Sequence, residues 1–475
     1  MQTFRHRCGL RGRLGVVAAV ATVCVATAIP LAAEPGLREP AIAIAIMAVF
    51  AVSLWRGASV FLAAPMLAAL LALAASGTTP ISYFEFHFAR PVGAFVAEFL
   101  PLFVLSAIFG RALADSGCAA SLGTWLADTV PRAWAPVAVA ALCALLTLGG
   151  VGVFVIAFSV YPIARAMFRK AGVPLHLAPA AIALGAFTFA MTALPGAPSL
   201  TNIVLASSLG TTAFAAPVKG FVASVLIAVP GALWLRWRAA HSEHVHDPDV
   251  DGLNPMPTPA PLIALCPLLL TVVLNGFLTW RLPVWAPGGL GAMGASYWAV
   301  IIALFCGTLA VAFLAGRARP DSWDAGAVAA AGPLLATGVG YGFGLSVAYL
   351  PGVADGFAAV SGHLAEAPLA HSVLTSGLYA GIVGSSSGGL LLWRDLHAAE
   401  ALASAAAPDI LHRLAALASG ILDTLPHSGA VIALLTICRV RHSVAYLDVG
   451  VVSIVAPLAG LCGAFAFVSL THGGL

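Results

Sequence analysis

Apolar residues run along this chain in long stretches, broken by short polar segments and by glycine and proline. A helix needs about 20 such residues to cross the hydrocarbon core of a bilayer. Candidate spans lie at about 40–55, 58–76, 93–114, 177–194, 217–235, 260–280, 294–315, 323–347, 408–421 and 443–470. Ahead of them, Arg5, Arg7, Arg11 and Arg13 precede an apolar stretch to Leu31. That stretch is long for a cleaved leader and reads as a first, retained helix. The short alternating segments of a membrane barrel are absent from the sequence. The pattern predicts an all-α polytopic membrane protein with about 11 transmembrane helices embedded in a lipid bilayer.

Composition points the same way. Of 475 residues, 61% are hydrophobic and 9% charged, with mean hydropathy +1.00. Soluble domains carry roughly 25% charged residues, and a soluble fold has no place for this much apolar surface. The 48 glycines and 31 prolines suit membrane helices whose neighbours re-satisfy the backbone. Cys8, Cys24, Cys118, Cys143, Cys266, Cys306, Cys438 and Cys462 are scattered without CxxC spacing. They read as small buried hydrophobes.

Lys and Arg placement suggests an orientation. With the N-terminus inside, Arg38, Arg90, Lys219, Arg281, Arg394 and Arg413 fall at outer ends, and the other 16 of the 22 basic residues fall inside. This requires segment 133–164, bounded by Arg132 and Arg165, to enter and leave from one side. It is too short for two spans and fits a re-entrant hairpin with LGGVG (148–152) near its tip. A second hairpin, about 368–407, carries GSSSGG (384–389).

The two halves then read alike. Three spans are followed by a glycine-tipped hairpin, an interrupted span and a closing span, with opposite orientation in the membrane. The interruptions are LPGAPSLTN (194–202) and LDTLPHSGA (422–430). This predicts an inverted repeat, 34–239 and 260–475, joined by a polar cytoplasmic linker at 240–259, with helix 1–33 outside it. In the linker, His241, His244 and His246 stand beside Asp247, Asp249 and Asp251. A metal could use them, but a solvated loop is the simpler reading, and no metal or cofactor is expected.

Broken helices in matching positions point to a transporter's site near the membrane midplane. Pro195 and Pro198 in one half, and Pro426 in the other, should stop their helices inside the hydrocarbon. The freed helix N-termini offer amides and partial positive charge to a carboxylate. Hydroxyl and amide side chains gather there: Ser199, Thr201, Asn202, Thr211 and Thr212 in the first half, and Ser385, Ser386, Ser387, Thr424 and Ser428 in the second. Asp423 and His427 are candidates for proton coupling, because a carboxylate within a membrane segment needs a partner or a task. Glu98 lies in an apolar span, where helix packing is the simpler role. Arg111 with Asp115 suggests a local pair, and Arg394 with Asp395 an interfacial one.

On ALPGAPSLTNIVLASSLGTTAFAAPVKG (193–220), GSSSGGLLL (384–392) and ASGILDTLPHSGAVIALLTICRVRHSVAYLDV (418–449), the chain resembles the gluconate and hydroxybutyrate permease family of the ion transporter superfamily. The family's signature residues fall on Pro195, Ser199, Asn202, Ser387, Gly388, Gly389, Asp423, Pro426 and His427. Arg394 and Ser428 depart from the family's usual pattern. The resemblance implies proton-coupled symport of a small organic acid anion across the bacterial cytoplasmic (inner) membrane. It also implies a homodimer and alternating access by an elevator motion, with scaffold segments (40–115, 260–350) and transport segments (133–239, 368–470). A sodium-coupled di- or tricarboxylate carrier of the same superfamily is the nearest alternative. Such carriers use paired Ser-Asn-Thr loops, and Asn202 has no counterpart in the second half. An anion channel is more remote. No His-Glu-x-x-His or comparable catalytic set is present, so an enzyme is not expected, nor is a nucleic-acid partner.

Overall fold

The computed structural model describes residues 38–55, 58–243, 258–286, 288–290, 293–314, 320–353, 367–404, 406–426 and 428–472. Among these residues the chain is all helix and turn, with no strand. The 1–33 segment, His427 and most of the linker, with His244, His246, Asp247, Asp249 and Asp251, lie outside the described residues.

The first half opens with α1 (Arg38–Trp55), α2 (Val60–Ala74) and the long α3 (Pro80–Asp115). α3 starts well before the expected residue 93. The Thr79 hydroxyl accepts from the Ser82 amide, and Pro80 stands in the first turn, where its missing N–H is harmless. A short helix, α4 (Cys118–Thr129), follows where the apolar runs signalled none. Next come the paired arms α5 (Ala135–Leu148) and α6 (Val153–Ala171), then α7 (Ala178–Ala186), α8 (Leu200–Leu209) and α9 (Pro217–Ala240). The second half runs α10 (Pro261–Trp285), α11 (Gly294–Leu314), α12 (Pro320–Ala348), the arms α13 (Pro368–Val383) and α14 (Ser386–Ala403), then α15 (Pro408–Leu422) and α16 (Gly429–Ile437). The closing helix α17 runs His442–Gly450, through a π turn at Val451–Val455, to Ala456–His472.

Among the described residues, seven helices are long and apolar enough to cross a membrane: Pro80–Asp115, Leu175–Thr192, Pro217–Ala240, Pro261–Trp285, Gly294–Leu314, Trp323–Ala348 and His442–Leu470. The remaining expected spans are shorter helices or half-helices. Large apolar side chains such as Leu62, Val273, Phe313 and Leu470 stay exposed around the outside, which is stable against lipid tails and not against water. Leu175–Thr192 is different. It is 83% buried, against 33% for Pro217–Ala240, so protein and not lipid surrounds α7 and the break that follows it.

The packing recurs in the two halves. In the first, α5 lies against α7 so closely that a Cβ on Gly185 would sit 2.1 Å from the Ala140 carbonyl oxygen. In the second, α13 lies against α15, with the Gly377 position 3.3 Å from the Ala418 carbonyl oxygen. Helices also pair across the halves, α3 with α12 and α9 with α17. The last pair is tied by Arg238, which donates to both oxygens of fully buried Asp448 at 2.7 and 3.0 Å, while the Trp234 indole donates at 3.0 Å.

Candidate functional site

Both prolines-in-helix segments are true breaks. In the first, α7 loosens into a π turn at Phe189–Ala193, the chain runs irregularly through 194–198, and α8 starts with Ser199 as its cap. In the second, α15 ends at Leu422 and α16 begins at Gly429. A break frees backbone carbonyls that no water can reach, so other groups must receive them.

At the first break four side chains do so: Ser199 donates to the Met191 carbonyl at 2.7 Å, Asn275 of α10 to the Gly196 carbonyl at 3.3 Å, and Asn202 and Arg413 to several each. The Asn202 amide donates to the carbonyls of Ala197 (3.0 Å) and Met191 (3.3 Å). Arg413, from α15, is fully buried. Its guanidinium donates to the carbonyls of Thr192 (3.0 Å), Ala213 (3.1 Å) and Ala215 (2.9 and 3.2 Å), and to Asn202 Oδ1 (3.3 Å). His412 bridges the same groups, with Nε2 3.2 Å from Asn202 Oδ1 and Nδ1 2.6 Å from the Thr211 hydroxyl. Charge placement had put Arg413 at an outer end of the chain. It instead sits in the protein core, holding the first break to the second half. Thr212 Oγ1 accepts from the Phe214 amide at 3.2 Å.

The second break and the α13–α14 tip form one unit. Gly384 takes a left-handed φ of +67° to turn the tip. Ser385 caps α14, accepting from the Gly388 amide at 3.4 Å, and its hydroxyl lies 3.3 Å from that of Ser387. Ser428 donates to the Gly384 carbonyl at 3.0 Å, which fastens the break to the tip. Thr424 donates to the carbonyls of Ile421 and Ser453, both at 3.3 Å. Gly389 lets the arms touch, since a Cβ there would fall 2.3 Å from the Ala380 nitrogen. Gly388 is less constrained, facing a Val383 methyl at 2.8 Å.

The two breaks meet at Ser386. Its hydroxyl lies 3.4 Å from that of Thr201 on α8. The Asp423 carboxylate lies beside the same serine. Asp423 is buried, and its Oδ1 has no hydrogen-bond partner. The positive end of α14, where an anion would be favoured, thus has the protein's own carboxylate beside it. Thr201, Asn202, Ser386, Thr424 and Ser428 are buried, whereas Ser199, Thr211, Ser385, Ser387 and Pro426 are partly open. The other tip also touches the first break, because a Cβ on Gly150 would lie 3.3 Å from Pro198.

A separate cavity of about 500 Å³ lies between α3, α12 and α14, lined by Arg90, Glu98, Tyr341, Arg394 and Asp395 among others. There Arg394 donates to Glu98 Oε1 at 3.4 Å and to Asp395 Oδ1 at 2.8 Å, and the Tyr341 hydroxyl donates to Asp395. Glu98, expected to pack a helix, is thus half of an ion pair across elements 296 residues apart. Arg111 and Asp115 form the local pair expected of them, at 2.7 Å.

No family model matches the chain. It is 32% identical over 455 residues to a Bacillus subtilis protein described as the uncharacterized transporter YxjC, covering 88% of this chain and 96% of that one. Two solved structures also show similarity to this chain. One is the Alcanivorax borkumensis YdaH transporter, at 17% identity and TM-score 0.47 over 86% of this chain and 96% of that one. The other is Neisseria gonorrhoeae MtrF, described with a class of antimetabolite efflux pumps, at 14% identity and TM-score 0.49 over 81% and 84%.

Proposed function

The chain belongs to the family of the Bacillus subtilis transporter YxjC, and from that premise we propose that it is a secondary active carrier taking up a small organic acid anion together with a proton. The observation that carries this reading is the buried Asp423 carboxylate, placed at the N-terminus of α14 with one oxygen unpartnered. While ionised, it fills the site where a substrate carboxylate would bind. Protonation neutralises it and releases the Ser386 hydroxyl and amide. An incoming anion then takes the α14 N-terminus, with Ser385, Ser387 and Thr201 to donate hydrogen bonds. Proton and anion load together because each removes the obstacle to the other, which is the thermodynamic basis of symport.

In this reading the segments 34–239 and 260–475 are inverted repeats. α5–α9 and α13–α17 form the moving transport body, and α1–α3 with α10–α12 form the scaffold. The recurrent α5–α7 and α13–α15 contacts support the repeat. The Arg394–Glu98 pair lies where the two bodies meet. A homodimer in the bacterial cytoplasmic membrane with its N-terminus inside completes the proposal. His427, within the LDTLPHSGA segment (422–430) of the sequence, is the other candidate proton carrier. The substrates to screen are gluconate, hydroxybutyrate, lactate and citrate. In proteoliposomes, an inward proton gradient should drive accumulation of one of them without sodium. Accumulation that follows a sodium gradient alone would replace the proton with sodium, and non-saturating flux indifferent to both would indicate a channel.

A further inference from the structure

The α13–α14 arms carry a second cluster, at the end away from the Ser385–Ser387 tip. His371 stands in the first turn of α13, and His397 and Glu400 stand one turn apart near the end of α14. One ligand atom from each lies within 4.8 Å of the other two. We propose that His371, His397 and Glu400 bind a divalent transition-metal cation, with zinc the ion their chemistry fits, stapling the open ends of the two arms.

His397 provides the geometric case. Its Nε2 lies 2.7 Å from the hydroxyl of fully buried Tyr379. With that hydroxyl accepting, the ring proton is held on Nε2 and the Nδ1 lone pair points into the cluster. The outer partner that fixes the tautomer and orientation of a metal-bound imidazole acts in this way. His397 is 7% exposed, and its buried Nδ1 makes no hydrogen bond. A buried polar nitrogen without a partner is rare and needs a reason, and a cation at Nδ1 supplies one.

The donor set fits. Two imidazole nitrogens and one carboxylate oxygen, with the fourth position open to water, match a three-ligand zinc site. Metal–ligand bonds of about 2.1 Å place tetrahedral ligands about 3.4 Å apart. His397 Nδ1 and Glu400 Oε2 are already 3.7 Å apart. Glu400, whose side chain is 53% exposed, closes the remaining gap by rotating, and its exposure provides the entry route. The site shares no residue with Ser386 or Asp423 and stands whether or not the carrier reading does.

The test uses the purified full chain in detergent, stripped with chelator and titrated with Zn²⁺, with Co²⁺ as the spectroscopic probe. Wild type should bind one more equivalent of Zn²⁺ than the double variant His371→Gln/Glu400→Gln. Its melting temperature should rise with Zn²⁺, as binding only to the folded state requires, and that of the variant should not. Tyr379→Phe should weaken binding about 10- to 100-fold while keeping the stoichiometry. The linker histidines contribute equally to all variants. Glu400→Gln alone, at an exposed position, serves if the double variant misfolds, and should also lose at least about tenfold in affinity. Equal Zn²⁺ stoichiometry and affinity in wild type and Glu400→Gln would overturn the site.

Discussion

Arg413→Leu isolates what holds the first break together. The substitution keeps an apolar side chain of fair size but removes every guanidinium bond to the Thr192, Ala213 and Ala215 carbonyls and to Asn202 Oδ1. The Ala213 carbonyl keeps the Gly196 amide and Asn202 Oδ1 keeps the His412 ring, so the Thr192 and Ala215 carbonyls lose their donor; at about 1–3 kcal/mol for each buried acceptor, the two sum to roughly 2–6 kcal/mol. Removing a buried charge returns part of this, because its desolvation had cost several kcal/mol. A net loss of about 3 kcal/mol remains, which is roughly a hundredfold in the folding equilibrium. At about 2.1 cal/mol/K of unfolding entropy per residue, a chain of 475 residues turns this into about 3 °C in melting temperature. Arg413→Lys keeps the charge but offers three donors from one point in place of a planar fork, and should fall between the two. The assay is the thermal loss of the monodisperse peak of a fluorescent fusion in detergent. An Arg413→Leu protein melting within about 1 °C of wild type would show that the break does not depend on this guanidinium.

Two further substitutions test the packing. Gly389→Ala drives a methyl into the Ala380 backbone at 2.3 Å and should destabilise by at least about 1–3 kcal/mol. Gly388→Ala meets only a movable Val383 methyl and should be milder, so the reverse ranking in thermal stability would refute the close arm contact. Asp448→Asn weakens the charge-assisted bonds from Arg238 and should cost about 1.5–3 kcal/mol. A double-mutant cycle with Arg238→Met should return a coupling energy of about that size, and additive losses would mean the pair contributes little.

The spans and both breaks were legible because their signals are local. Proline within an apolar run stops a helix wherever the chain goes next, and LPGAPSLTN and LDTLPHSGA both interrupt helices. Glycine tips were legible for the same reason, since Gly150 and Gly384 take positive φ. α4 was missed because its twelve residues, CAASLGTWLADT, mix small, polar and apolar types and carry no long apolar run. Arg413 was placed by its order in the chain, whereas its burial comes from residues about 200 positions away. The warning was present in the sequence, as a cation inside the apolar run 408–421 is expensive unless something receives it. The Glu98–Arg394 pair and the His371–His397–Glu400 cluster are products of tertiary packing, and no spacing announces them.

In the proposed coupling, Asp423 competes with the substrate carboxylate for the start of α14 until a proton neutralises it. Asp423→Asn mimics the neutral state permanently. In proteoliposomes the variant should insert normally and exchange labelled substrate across the bilayer, yet fail to accumulate it under an inward proton gradient. Accumulation at the wild-type level in that variant would contradict the account.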